Sequence, residues 1–134
     1  MLKTLKIKGY KSIRDMELEL APINILIGAN GAGKSNLISF FKLLRWMLQT
    51  PGQLQVFVGK SGGANALLFD GASVTPQMEA ELHFQTEAGR NDYSFRLFHA
   101  ASDTFIFAEE KYRFSRTSTK NRNTGRLVRR VFIV

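Results

Sequence analysis

Residues 25–44 read ILIGANGAGKSNLISFFKLL, a hydrophobic run that stops at Gly28, passes through a glycine-rich turn and enters a helix without a break. Within it, Gly28-Ala29-Asn30-Gly31-Ala32-Gly33-Lys34-Ser35 satisfies G-x-x-x-x-G-K-S/T, and strand, turn and helix in that order are the setting in which this pattern binds phosphate. Small residues let the backbone curl so that successive N–H groups point at a β-phosphate, and a helix starting near Gly33 adds its positive end. Lys34 then places a cation on the β and γ phosphates, the Ser35 hydroxyl is a ligand for Mg2+, and Asn36 can donate to the α-phosphate. A Mg-bound nucleoside triphosphate is the ligand class this predicts.

Working outward, LKTLKIKGY alternates Leu5 and Ile7 with lysines, and MELELAPI alternates Met16, Leu18 and Leu20 with glutamates, each with the period of a half-buried strand. The link KSIRD makes them an antiparallel pair. INILIG is nearly continuous in apolar residues and predicts a central strand covered on both faces. The helix predicted from Gly33 to Gln49 has Asn36, Ser39, Lys42, Arg45 and Gln49 as one narrow polar stripe and is apolar elsewhere, so it is expected to lie buried between layers. Pro51 and Gly52 end it. The glycine-rich stretch 51–76 reads as a loop region with one or two short elements.

QMEAELHFQTE and YSFRLFHA alternate again around a predicted turn at GRND, and DTFIFAEEKYRFSR supplies a third strand, giving an antiparallel meander over 77–114. LVRRVFIV reads as a final strand or as the start of a further element. A chain of 134 residues, 44% hydrophobic, fits a single domain with a core. Without cysteine it has no disulfide framework and no thiolate metal site, and its two histidines are too few for a zinc cluster. No apolar run approaches the roughly 20 residues of a membrane span, and the N-terminus lacks a signal-peptide core, so a cytoplasmic protein without membrane contact is expected. The net charge of +8 is uneven: acids and bases balance through residue 110, and the excess lies in 111–134. That basic tail makes DNA a possible partner.

LKIKGYKSIRDMELEL followed closely by INILIGANGAGKSNLISFFKLL resembles the N-terminal segment of the SMC/RecF-type ABC ATPases, particularly the bacterial AAA family ATPases related to the OLD nucleases. In that group an aromatic-basic-Ser signature precedes the phosphate loop, here Tyr10-Lys11-Ser12, with asparagines at Asn30 and Asn36. The resemblance implies an α/β fold of the P-loop NTPase type: a half-lobe with a mixed sheet, a buried helix after the loop and an antiparallel meander like that of an ABC ATPase lobe I, incomplete by itself. It also implies that Lys11 and Ser12 lie near the nucleotide, that ATP with Mg2+ is bound, and that a glutamine ending a first-lobe strand senses the γ-phosphate. Gln77 and Gln85 are the candidates.

Hydrolysis needs further parts. ALLFD, ending in Asp70, has the shape of a Walker B strand, and KSGGA, residues 60–64, that of a signature loop. Both precede the meander, whereas in the resembled family they follow the whole first lobe, and Gly71 stands where a catalytic Glu belongs. The chain is therefore expected to be one ATP-binding lobe over 1–134: hairpin, loop strand and helix to residue 50, loop region 51–76, meander 77–114 and basic tail 115–134. Mg-ATP binding with little turnover is the expected activity, completed by a second ATPase lobe or a homodimer partner, within a parent that processes or repairs DNA or defends against phage. Two alternatives remain open: a stand-alone P-loop kinase or nucleotide switch using Asp70, and a nucleic-acid-binding fragment using the tail. His83 and His99 face no obvious acid in the sequence and read as strand-surface residues.

Overall fold

The computed structural model of the chain describes residues 1–29 and 33–116 and, as backbone alone, 129–133. Asn30, Gly31 and Ala32 of the glycine turn, and tail residues 117–128 and 134, lie outside the described residues.

The alternating segments at the N-terminus become β1 (Leu2–Tyr10) and β2 (Ile13–Glu19), an antiparallel hairpin with Ile7 opposite Met16 and Tyr10 opposite Ile13. Its turn is only Lys11 and Ser12, shorter than the polar link implies. The apolar run forms β3 (Ile23–Ile27), and the following helix is α1 (Lys34–Gln49). Two short helices, α2 (Gln53–Lys60) and α3 (Ala64–Leu67), occupy the glycine-rich stretch. The meander is β4 (Gln77–Gln85), β5 (Gly89–Ala100) and β6 (Thr104–Arg116), and β7 (Arg129–Ile133) closes the described chain.

Five strands make one antiparallel sheet in the order β2-β1-β4-β5-β6. The period of two separates its faces. Leu5, Ile7, Ala80, Leu82 and Phe95 are buried on one face; Lys6, Glu81, Arg96 and Glu109 stand on the other, with Lys6 3.8 Å from Glu81 and Arg96 2.7 Å from Glu109. The buried face receives α1 through Leu37, Phe40 and Leu43. The Phe40 ring stacks on Phe95 at 6.5 Å and meets Tyr10 edge-on at 5.9 Å. The two short helices extend the same core through Leu54, Phe57, Val58 and Leu67, with Trp46 of α1 6.3 Å from Phe57.

Three expectations change. Polar residues on α1 do not form one stripe: Asn36 and Ser39 turn toward the hairpin and find partners there, while Lys42, Arg45 and Gln49 share the exposed side with Ile38, Phe41 and Leu48. Steps of three residues drift around a 3.6-residue helix, so a run of them cannot remain on one face. The helix thus buries one face instead of lying between two layers. The predicted central strand β3 pairs, among the described residues, only with β7, in parallel. Its Ile23, Ile25, Leu26 and Ile27 are 37% to 52% exposed, because no described layer covers them. Finally, GRND is not a turn but the first part of β5; the chain reverses at 86–88, where the Thr86 N–H donates to the Gly89 carbonyl at 2.8 Å. Gly89 is required for close approach, since a Cβ there would lie 2.2 Å from the Ser115 carbonyl oxygen on β6.

The fold is α/β and partial: an antiparallel sheet carrying helices on one face, beside a parallel strand pair that includes the strand leading into the glycine turn. Among the described residues no helix is long and apolar enough to cross a membrane.

Candidate nucleotide-binding site

The strand β3 ends at Ile27 and α1 begins at Lys34, so the glycine motif occupies the strand-to-helix turn that its pattern requires. Gly33 has φ 101°, a left-handed value that glycine adopts at no steric cost, and this directs the chain into the helix. The Leu37 N–H closes the first turn on the Gly33 carbonyl at 3.0 Å. Among the described residues no side chain caps the N-terminus, and its first turn holds no acid. The leading amides therefore retain their donors, and the positive end of the helix is not neutralised. The Lys34 ammonium folds back and donates to the carbonyl of Gly28, joining entry and exit of the turn. Ser35 is exposed and Asn36 half-buried.

The hairpin turn reaches this helix. Asn36 Nδ2 donates to Ser12 Oγ at 2.6 Å, and the Tyr10 hydroxyl is 2.8 Å from Ser39 Oγ. Lys11 between them has φ 48°, and its N–H donates to the Leu67 carbonyl at 2.9 Å. Burial pushes the Tyr10 phenol up to about 12, against the smaller opposing effect of its bond to Ser39. Because β1 and β4 are antiparallel, Gln77 stands at the Gly9 end of the sheet beside the hairpin turn, whereas the Gln85 N–H donates to the Met1 carbonyl at the opposite end. Gln77 Nε2 donates to Glu79 at 3.0 Å.

The two imitation motifs serve other purposes. Residues 60–64 run from α2 into α3, and the start of α3 is met by Asp103 of the β5–β6 turn. Its Oδ1 accepts from the Asn65 N–H at 2.8 Å and its carbonyl from the Ala64 N–H at 2.9 Å. An internal carboxylate thus already takes the place an incoming phosphate would need. The residues of ALLFD make a helix end, a bridge from Leu68 to Tyr10 and a turn, not a strand of the sheet. Asp70, with φ 54°, lines a basin of about 540 Å3 with Lys8, Arg14 and Glu79.

Both histidines do find acids. His83 Nδ1 is 2.6 Å from Asp92 across β4 and β5, and His99 Nε2 is 2.9 Å from Asp103. Arg90 is the main cause that holds Asp92 below the usual carboxylate range, with His83 adding to it. For Asp103 the Asn65 backbone donor leads and His99 follows. His83 and Asp92 stand opposite each other on β4 and β5, whereas Asp103 follows His99 by four residues and meets it because the chain turns between β5 and β6. The pairing of Ser39 with Tyr10 depends on how α1 sits against the hairpin.

Residues 23–126, more than half of the chain, match the family model described as "AAA domain, putative AbiEii toxin, Type IV TA system". The OLD nuclease of Thermus scotoductus is 36% identical over 44 residues, 33% of this chain and 8% of that protein. A solved structure of the recombination mediator protein RecF with ATPrS superposes with a TM-score of 0.55 at 17% identity, over 82% of this chain and 26% of that one. The SMC head domain from Thermotoga maritima gives 0.52 at 21% identity, over 87% of this chain and 37% of that one. The chain thus spans a minor part of each relative's length, and at these identities the two structures bear on fold alone. By its family match the chain belongs to these AAA domains, with the partial fold of an SMC/RecF/OLD-like ATPase.

Proposed function

We propose that the chain binds Mg-ATP as one lobe of an SMC/RecF/OLD-like ATPase and turns it over little by itself. The observation that carries this is the motif 28–35 set between β3 and an α1 whose first turn is uncapped and free of acids. Uncapped amides, the positive helix end and the Lys34 ammonium, six residues from Gly28, supply what a triphosphate needs. Gly28, Ala29, Asn30, Gly31, Ala32 and Gly33 wrap the β-phosphate, Lys34 neutralises β and γ oxygens, and Asn36 donates to the α-phosphate. Lys11 reaches a phosphate or the ribose, with Ser12 beside it. Among the described residues no group of three or more His, Asp or Glu could hold a metal, so Mg2+ would depend on the Ser35 hydroxyl together with phosphate oxygens.

The fate of the two imitation motifs supports low turnover. No hydrogen bond or ion pair among the described residues links Asp70 to α1, and residues 60–64 are already capped by Asp103. A second ATPase lobe or a homodimer partner would provide the missing acid and signature and would cover β3. Coupling of nucleotide-driven assembly to DNA processing or phage defence is the parent role this supports. Calorimetric titration with Mg-ATP should show saturable binding that Lys34→Ala weakens at least about tenfold, the loss expected for a charge-assisted phosphate contact. Phosphate release from the same sample should remain near background. Binding indifferent to Lys34→Ala would sink the reading.

A further inference from the structure

The hairpin that precedes the glycine motif is attached to α1 by two polar side-chain bonds, and both have structural causes upstream. Gly9 has φ 77°, and a Cβ there would lie 2.7 Å from Thr75 Cγ2 and 2.9 Å from the Gln77 carbonyl oxygen. This left-handed step breaks the alternation of β1, so that Gly9 and Tyr10 are both buried and Tyr10 turns onto the helix. Lys11 follows in a second left-handed conformation, which a lysine adopts only when its surroundings impose it. Those surroundings are the Lys11 N–H bond to Leu67 at 2.9 Å, the Leu68 bridge to Tyr10 and the Phe69 N–H bond to Gly9 at 3.1 Å. The segment containing α3 thus holds the turn from one side and aims Ser12 at α1 on the other.

On α1 the two attachment points, Asn36 and Ser39, are three residues apart and so lie almost one above the other. Apolar packing through Leu37, Phe40 and Leu43 fixes which face of α1 meets the sheet but specifies small rotations about the helix axis only weakly, because dispersion contacts have little directionality. Two bonds on one side of the helix, at 2.6 Å and 2.8 Å, specify it. The first also fixes the Asn36 carboxamide: one Nδ2 proton goes to Ser12, which leaves the second proton as a donor of defined direction.

We propose that Ser12 and Tyr10 are positioning residues of the nucleotide site: Ser12 aims the Asn36 amide at the α-phosphate and Tyr10, through Ser39, sets the rotation of α1, neither touching the nucleotide. The inference rests on the Mg-ATP reading above and goes beyond it, since it moves Ser12 from contact to support and brings in Tyr10 and Ser39.

The test uses the full chain with two probes, Mg-ATP and Mg-pyrophosphate, the latter filling only the two phosphate positions nearest Lys34. Ser12→Ala should weaken Mg-ATP about tenfold, the order of a hydrogen bond to a charged group, while Mg-pyrophosphate binding stays within about twofold. Ser12→Thr, which keeps the acceptor oxygen, should restore Mg-ATP binding. Asn36→Ala should match Ser12→Ala, and the double variant should be no weaker than Asn36→Ala, as expected for residues acting in series. Tyr10→Phe retains the ring packing and should cost Mg-ATP several-fold; Ser39→Ala should do the same. Additive losses in the double variant would place Ser12 on the nucleotide and overturn the assignment. For Ser12→Ala, equal loss of both ligands with a lowered melting temperature would mark a folding role and overturn it too. Wild-type Mg-ATP binding that is absent or insensitive to Lys34→Ala overturns the nucleotide reading, and this inference with it.

Discussion

Tyr10 shows how much a single position gathers in this fold. It is fully buried, its ring is edge-on to Phe40 at 78°, and its hydroxyl reaches Ser39. Burial holds the folded phenol near 12 against an ordinary value of 10.0. A folded value above the unfolded one means that the folded state keeps its proton longer. The associated stability is complete below about pH 10 and is lost as pH rises from there through about 12. The loss is at most about 2–3 kcal/mol, from two units of difference. Tyr93 is raised in the same sense by burial and by Glu110, so it adds to the same window. Tyr10→Phe should lower stability by about 1 kcal/mol near neutral pH through the lost hydrogen bond and should flatten the alkaline decline. Urea midpoints between pH 8 and pH 11.5 would check both, and an unchanged decline would count against the assignment to Tyr10.

Among the elements, α2 and α3 illustrate two uses of glycine. Gly63 has φ 98°, and a Cβ there would fall 1.9 Å from Asp103 Oδ2, so its bareness is what lets the β5–β6 turn cap α3. Gly63→Ala should therefore cost about 1–3 kcal/mol through strain and a displaced cap. Gly59 lies inside α2, and nothing stands within 4 Å of the place a Cβ would take there. Its replacement by Ala should be neutral or stabilise by up to about 1 kcal/mol, the ordinary helix preference. Chemical denaturation of the two single variants distinguishes these cases, and similar shifts in both would refute the packing argument. Strand alternation made β1, β2, β4 and β5 readable from the chain, and the motif at 28–35 announced α1. The position of the β4–β5 turn was not readable, because GRND has turn composition while Gly89 is retained for the close approach of β6. Nor was the splitting of polar residues on α1, which follows from where the hairpin docks.

At the level of the whole molecule, the described fold leaves apolar surface uncovered on β3, on the edge strand β6 at Ile106, Phe107 and Phe114, and on the outer side of α1 at Ile38 and Leu48, which are 55% and 59% exposed. Surfaces of this kind mark interfaces, and the chain should self-associate as its concentration rises. Ile38→Gln with Leu48→Gln should shift sedimentation toward the monomer while stability stays within about 0.5 kcal/mol, as for exposed positions. Unchanged association would rule out the α1 face and direct attention to β3 and β6 instead. The sequence alone determined the phosphate-loop signature, the alternation that builds the antiparallel sheet and the resemblance to SMC/RecF-type ATPases, since each rests on residues adjacent or regularly spaced along the chain. Tertiary structure alone decided that Asp103 caps the residues that imitate a signature, that His83 and His99 have carboxylate partners, and that Tyr10 and Ser12 grip α1. Those pairings join residues 9 to 38 positions apart or lie across a turn, and such contacts depend on which faces pack together, a property that no local pattern encodes.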